Sequence, residues 1–565
     1  MSLMMSLNKA IVAKKTIRLL TLFLCSFYRL TFGQNFNEIL GRPTDHSITV
    51  SALFPQVREV KFEYGLSPSN LIQSTQVTVS EAETPVVTEL QPLLPDTRYY
   101  YRTAYRIPGV QNFQYGPLRT FHTQRAPGSS FTFVIEADEH LYDKKGYRGL
   151  YQICLQNQAK DSADFMLSLG DTFGDDHTPY ETTSEDMKQL HLDYRQYLGQ
   201  VCHSMPFFFC LGNHEGESGY WLDQTPPENI AVYGTLWRKF YYPNPVPDDF
   251  YSGNQAAEPW NIGLPENYYA FTWGDALFIV LDVYRDCDIN EKPKNWEWTL
   301  GKTQYDWLKS TLETSTSAHK FVFAHHNRGQ GRGGVLPARG YEWGGYGNNG
   351  NGNWEFDEMR PGWDMPIHQL MVANGVDIFF QGHDHLYAVE ELDGLVYQEV
   401  PMPSDSSYII GVTDNGDAYT GTILDGSGHL RVHVDPDCVT VDYVAAWLPD
   451  DTLGTHKNRE IRHTYKKGAC AVPTGGGYSI NDPFFEVFPN PAGERVTVRT
   501  AESRATDRRI EILDTHGKLI RNAVLKAGSN DVTLDVSPFE TGMYFLRIHD
   551  QKIPVTARIF ISKHL

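Results

Sequence analysis

Positive charge is scarce in this chain: 49 Lys and Arg stand against 69 Asp and Glu, a formal charge of -20. A protein that grips nucleic acid or an anionic membrane along a broad face needs a basic surface to meet the phosphates, so neither partner is expected. Long apolar runs are missing as well. The one sustained run, "LLTLFLCSFY", is too short to span a bilayer; it follows Lys9, Lys14, Lys15 and Arg18 and precedes a small-residue cleavage point at Gly33-Gln34. That order reads as an export signal over residues 1–33, with an N-terminal anchor helix as the competing reading. Cysteine is sparse too. Removing the signal takes Cys25 and leaves Cys154, Cys202, Cys210, Cys287, Cys438 and Cys470, an even set that permits disulfides without fixing their pairing.

What remains is globular and long. With 565 residues, 41% apolar, the chain exceeds one ordinary core and implies several domains. Residues 34–125 hold short alternating runs ("HSITVSALF", "VREVKFEYG", "TRYYYRTAYR") punctuated by Pro and Gly, the pattern of a small antiparallel β-sandwich. From 126 to 470 the pattern becomes α/β. Apolar strands "FTFVIEA", "DFMLSL", "PFFFCL", "ALFIVLDV", "KFVFAH" and "VDIFFQ" alternate with helix-like "TSEDMKQLHLDYRQYLGQ" and "KTQYDWLKSTLET". A hairpin at 427–447 closes this unit. The linker "AVPTGGGYSINDP" (471–483) follows, and short strands resume over 484–565 as a second small sandwich.

The α/β region carries the chemistry. Each of several apolar strands is followed at once by groups that bind metals: Asp138 and His140, Asp171, Asn213 and His214, His325, then His383 and His385. Groups at the C-terminal ends of neighbouring strands converge where α/β sheets bind ligands. Carboxylate, carboxamide and imidazole, with no thiolate among them, suit hard to borderline divalent cations. One tetrahedral ion would not use them all. Two cations sharing Asp171, about 3.5–4 Å apart, would activate a water and neutralise charge on a phosphoryl group.

The set "DEH" (138–140), "GDTFGDD" (170–176), "GNHE" (212–215), "HH" (325–326) and "GHDH" (382–385) resembles, in order and content, the motifs of the calcineurin-like metallophosphoesterase superfamily. The resemblance implies a four-layer α/β core, here flanked by all-β sandwiches. It also implies that Asp138, His140 and His385 bind one divalent ion, that Asn213, His325 and His383 bind another, and that Asp171 bridges them. His214 would protonate the leaving alkoxide, with Glu215 helping to orient its ring. An N-terminal fibronectin type III-like sandwich ahead of this domain resembles the layout of purple acid phosphatases. Those enzymes carry a tyrosine three positions beyond the bridging Asp, where Gly174 stands here, so a purple ferric centre is not expected and Fe, Mn or Zn remain open. The tail, with "FEVFPNPAGERVTV", "DTHGKLI" and "FETGMYFLRI", resembles a type IX secretion C-terminal sorting domain, which implies contact with that machinery and a secreted or surface-attached product.

These features describe a secreted phosphomonoesterase acting on a small phosphate ester. A phosphodiesterase or nucleotide pyrophosphatase is the nearest alternative, and a surface adhesion protein using the metal domain as scaffold is the alternative of another class. His326, next to His325 on a strand end, should point the other way, with substrate binding as its second reading. The Gly-rich stretch 326–356 reads equally as a substrate lid, offering Arg328, Arg332 or Arg339 to phosphate oxygens, or as a flexible surface loop.

Overall fold

The computed structural model describes residues 36–142, 146–173, 178–287, 291–327, 329, 331–410, 415–454, 456–470, 485–489, 492–500, 504–514, 518–550 and 553–563. The expected signal and linker, Gly174 and Arg328 lie outside them. The chain divides into two compact units, Met1–Ala469 and Cys470–Leu565.

The larger unit opens with two antiparallel sheets. One pairs Asn37–Gly41, Ile48–Leu53 and Val86–Leu90; the other is built around Arg58–Gly65 and Arg98–Arg106. Their inner positions, Val50, Val60, Phe62 and Tyr101 among them, are fully buried, which is the consequence of the two-residue alternation in these strands.

Two larger sheets follow. One has the order Phe207–Phe209, Phe165–Ser168, Phe131–Glu136, Ser427–Asp435, Cys438–Ala446, Ile461–Gly468. In the other, Ala276–Val280, His319–Phe323, Ile378–Gln381 and Leu395–Glu399 run parallel at the centre. The sheets face one another across an aromatic core, with Phe133 edge-on to Phe278 at 5.1 Å and to Phe323 at 6.3 Å. Helices cover the outer faces. Arg148–Gln158 and Ser184–Leu198 bury Tyr151, Leu155, Tyr194 and Leu198 against the first sheet, and Gly301–Thr314 and Ile367–Ala373 bury Leu308, Leu312 and Leu370 against the second. This is an α/β/β/α core. Strands covered on both faces need continuous apolar runs, and Ala276–Val280 is buried at every position.

Arg195 ties the first sandwich to this core. It is fully buried, and its Nε donates to Asn37 Oδ1 at 2.7 Å and its Nη2 to Ser51 O at 2.6 Å, while Nη1 donates to Tyr241 O. No carboxylate is among these partners, and burial pulls the guanidinium down to about 10.

His191, one turn earlier, is buried between Phe173 and Tyr242, with neither ring nitrogen hydrogen-bonded. Burial, then Arg238, lowers it to about 3. The unfolded chain takes up this proton near pH 6.5 while the folded chain stays neutral, so the stability contribution is present above that pH and lost as pH falls. At pH 5 the loss is about 2 kcal/mol. Replacing His191 with Phe should therefore flatten the fall in melting temperature between pH 7 and pH 5; equal slopes in both proteins would refute this.

The smaller unit is a sandwich in its own right. A sheet of Phe485–Phe488, Arg495–Thr500 and Asp531–Asp535 packs on one of Leu519–Leu525, Arg508–Leu513, Gly542–Asp550 and Ile553–Ile561 over Val496, Val498, Ile510, Ile512, Leu546 and Ile548. Of the cysteines, Cys154, Cys202, Cys210 and Cys287 are buried and free, whereas Cys438 and Cys470 are disulfide-bonded.

Candidate metal centre

The parallel strands of both large sheets end on one edge, and the turns that leave them carry the expected ligands. Three overlapping groups have donor atoms within 4.8 Å of one another: Asp138, His140 and His385; His140, Asp171 and His214; Asp171, His325 and His383. Asp171 belongs to the last two, and its Oδ2 lies 3.2 Å from His325 Nε2, 3.6 Å from His140 Nε2 and 3.9 Å from His214 Nε2. Asp138 Oδ1 lies 3.4 Å from His385 Nε2 and 3.8 Å from both His140 and His325 Nε2.

The backbone holds the other half of each group. His214 N–H donates to Asp171 Oδ1 and His383 N–H to Asp138 Oδ2, both at 2.8 Å, so that one oxygen of each carboxylate is tethered and the other faces the imidazoles. His325 Nδ1 is 2.9 Å from Leu169 O; since a carbonyl only accepts, Nδ1 carries a proton, and Nε2 is the nitrogen turned toward Asp171 and Asp138. Asp138, His140, Asp171, His383 and His385 all adopt left-handed backbone, with φ of 62, 44, 58, 81 and 61°. Such conformations cost about 1–3 kcal/mol each and cluster at ligand clamps. The glycines of the motifs are steric necessities: a Cβ on Gly212 would lie 2.3 Å from Asp171 Oδ1, and one on Gly382 2.5 Å from Asp138 Oδ2.

The electrostatics suit a cation. Burial alone would raise the Asp138 and Asp171 carboxyls, yet His325 together with His385 or His214 holds them well below the ordinary range. In return Asp171 and Asp138 overcome burial and push His325 up to about 9. The field that retains a proton there would retain a divalent ion instead. Asp138 Oδ1, Asn213 Oδ1 and His385 Nδ1 are buried and make no hydrogen bond, which leaves polar atoms in need of a partner. The donor set therefore fits hard to borderline cations.

Three positions differ from expectation. Glu215 does not orient His214: its carboxylate accepts from the N–H groups of Gly212, Asp171, Thr172 and Phe173 at 2.6–3.1 Å and so holds the turn that carries Asp171. Burial, then Asp171, pushes it up to about 7. His326 does not point away; it is fully buried, its ring 5.1 Å from that of His383, with Nε2 donating to Gly333 O at 3.1 Å. Arg332, one of three arginines that the lid reading offered to phosphate oxygens, pairs with Asp384 at 3.0 Å. The Gly-rich stretch is a packed wall rather than a loose loop. It forms short helices at Val335–Ala338, Tyr341–Gly344 and Phe356–Met359 and buries Tyr341, Trp343 and Phe356.

Sequence reasoning missed other supports. Glu139 accepts from Thr172 Oγ1 at 2.7 Å, and Tyr142 OH lies 3.4 Å from His140 Nδ1. Glu217 forms a two-point ion pair with Arg238 directly beyond the third motif. The only cue in the listing is the density of acidic and aromatic residues within the motifs.

The calcineurin-like phosphoesterase family matches residues 131–387, the stretch that contains every one of these ligand turns. That stretch is a calcineurin-like phosphoesterase domain and makes the protein a phosphoester hydrolase. The secretion system C-terminal sorting domain family matches residues 486–562, and with this tail the enzyme is exported, as a secreted or surface-attached protein that meets the secretion machinery. No curated protein matches the chain. Among solved structures, that of PhoD shares 16% identity and a TM-score of 0.56, covering 79% of this chain and 94% of that one. Purple acid phosphatase PPD1 from yellow lupin (Lupinus luteus) seeds shares 14% identity and a TM-score of 0.49, over 76% of this chain and 73% of that one.

Proposed function

We propose that this exported hydrolase is a dinuclear, metal-dependent phosphomonoesterase acting on small phosphate esters. The observation that carries the reading is the position of Asp171 Oδ2, within 3.2–3.9 Å of imidazoles contributed by three different motifs. Asp138, His140 and His385 would hold one divalent ion and Asn213, His325 and His383 a second, with Asp171 between them. Fe, Mn and Zn all suit these donors. When bound, such a pair supplies a water that ionises near neutral pH and neutralises phosphoryl charge.

His214 supplies the remaining chemistry. Its side chain is 13% exposed, against 0–1% for Asp138, His140, Asp171 and His325, so it borders the solvent through which a substrate arrives. Fixed by its backbone bond to Asp171, it can hand a proton to the departing alkoxide. Replacing His214 with Ala should slow hydrolysis of an alkyl phosphate by about 10²–10⁴-fold, the usual contribution of a general acid. Hydrolysis of p-nitrophenyl phosphate, whose leaving group departs without a proton, should suffer much less. Equal losses on both esters would remove His214 from this role.

The reading as a whole is tested by metal analysis of the purified protein combined with paired mono- and diester substrates. Two equivalents of metal with monoester turnover support it. Preference for diesters would make it a phosphodiesterase, and bound metal with no turnover on a broad ester panel would favour a binding protein.

A further inference from the structure

Asp384 stands between His383 and His385 and is fully buried, yet it belongs to none of the groups of converging donors. Its Oδ1 accepts from Arg332 Nη1 at 3.0 Å and Asn415 Nδ2 at 3.3 Å, and its Oδ2 from Gly333 N–H and Tyr419 OH at 2.8 Å each. Its own N–H donates to Glu399 Oε1 at 2.9 Å, and its carbonyl accepts from Asn415 at 3.3 Å. Every hydrogen-bonding group of the residue is thus engaged, in a turn whose two neighbours both hold left-handed backbone. On the far side of the contact, Gly333 O accepts from His326 Nε2 and from Gln381 Nε2, each at 3.1 Å, and Gly334 O from Asn327 Nδ2 at 2.8 Å. Residues 332–334 are therefore pinned between the turn that carries His383 and His385 and the segment that follows His325.

We propose that Asp384 is a positioning residue that sets one ligand of each proposed cation at once, His385 for the first and His383 for the second. Through Arg332 and Gly333 the same carboxylate holds the insertion in place beside His326. The inference rests on the two-cation reading above.

Titrating Mn²⁺ into the metal-stripped mature chain separates the outcomes. For Asp384→Asn, which keeps size but puts an N–H where a donor already points, both binding events should weaken together by about 10–100-fold, the usual loss when a ligand's support is removed. For His385→Ala only one event should weaken. Arg332→Gln alters a side chain that is half exposed and leaves the buried carboxylate in place. In this variant amide exchange over residues 333–338 should quicken about tenfold or more, as expected for loss of a charge-assisted hydrogen bond, with metal affinity retained and KM raised at constant kcat. Asp384→Asn binding both ions as tightly as the parent, or losing one alone, overturns the proposal. Should that variant not fold, unchanged exchange in Arg332→Gln overturns it instead. The metal titration and the amide exchange do not depend on turnover: a chain that binds two ions without hydrolysing esters sinks the functional reading but not this one, whereas a single binding event in the parent sinks both.

Discussion

Asp171→Asn should abolish phosphoester hydrolysis while leaving the fold intact. The amide keeps Oδ1 as acceptor for His214 N–H, so the turn retains its tether. It removes the negative charge that three imidazoles surround and the oxygen that two cations would share. Metal-derived stabilisation of a phosphoryl transition state is worth several kcal/mol, so a loss of about a thousandfold or more in kcat/KM is expected. Metal content should fall in parallel, and the thermal midpoint measured in chelator should match that of the parent. Activity within about tenfold of the parent, at full metal loading, would rule out Asp171 as the shared ligand.

The largest effect on stability should come from Glu217→Ala. Arg238 is fully buried, and Glu217 meets its Nε at 2.7 Å and its Nη2 at 2.9 Å; the remaining donors go to the carbonyls of Glu266 and Pro265. Burial would lower the guanidinium, but Glu217 more than offsets it. Removing the carboxylate strands a cation in the interior, which costs about 3–5 kcal/mol, whereas replacing both partners with apolar residues is often close to neutral. Denaturant unfolding should accordingly show a large loss for Glu217→Ala and substantial recovery in Glu217→Leu with Arg238→Met. Because Glu217 lies four residues beyond Asn213, the single variant should also loosen the ligand turn and weaken metal binding. A loss below about 1 kcal/mol would show that the interior hydrates the orphaned charge.

Much of the architecture was legible because it rests on burial. Runs such as "ALFIVL" and "IFF" are apolar throughout, as strands covered on both faces must be, and hard ligands after several of them mark a shared edge. Orientation was less legible. Asp282 also follows an apolar strand, yet it accepts from Asn267 Nδ2 and the N–H groups of Tyr284 and Arg285 and so closes a turn rather than facing a metal. Glu215 and Asp384 sit inside motifs, but the left-handed residues beside them reverse the chain, and a reversal decides which way a side chain leaves. Arg332 illustrates the same limit, since its partner is fifty-two positions away. By composition the insertion reads equally as a lid or a flexible loop; the burial of Trp343 and Phe356 depends on Trp296 and Trp363, which come from elsewhere in the chain.

Arg195 has a practical consequence for anyone wishing to miniaturise this catalyst. Cutting the chain back to begin at Phe131 deletes Asn37 and Ser51, and with them the acceptors of two of the guanidinium's nitrogens. The leading sandwich is thus less a detachable appendage than half of a socket, and a trimmed enzyme would need an uncharged replacement at position 195 before it could be expected to stay soluble.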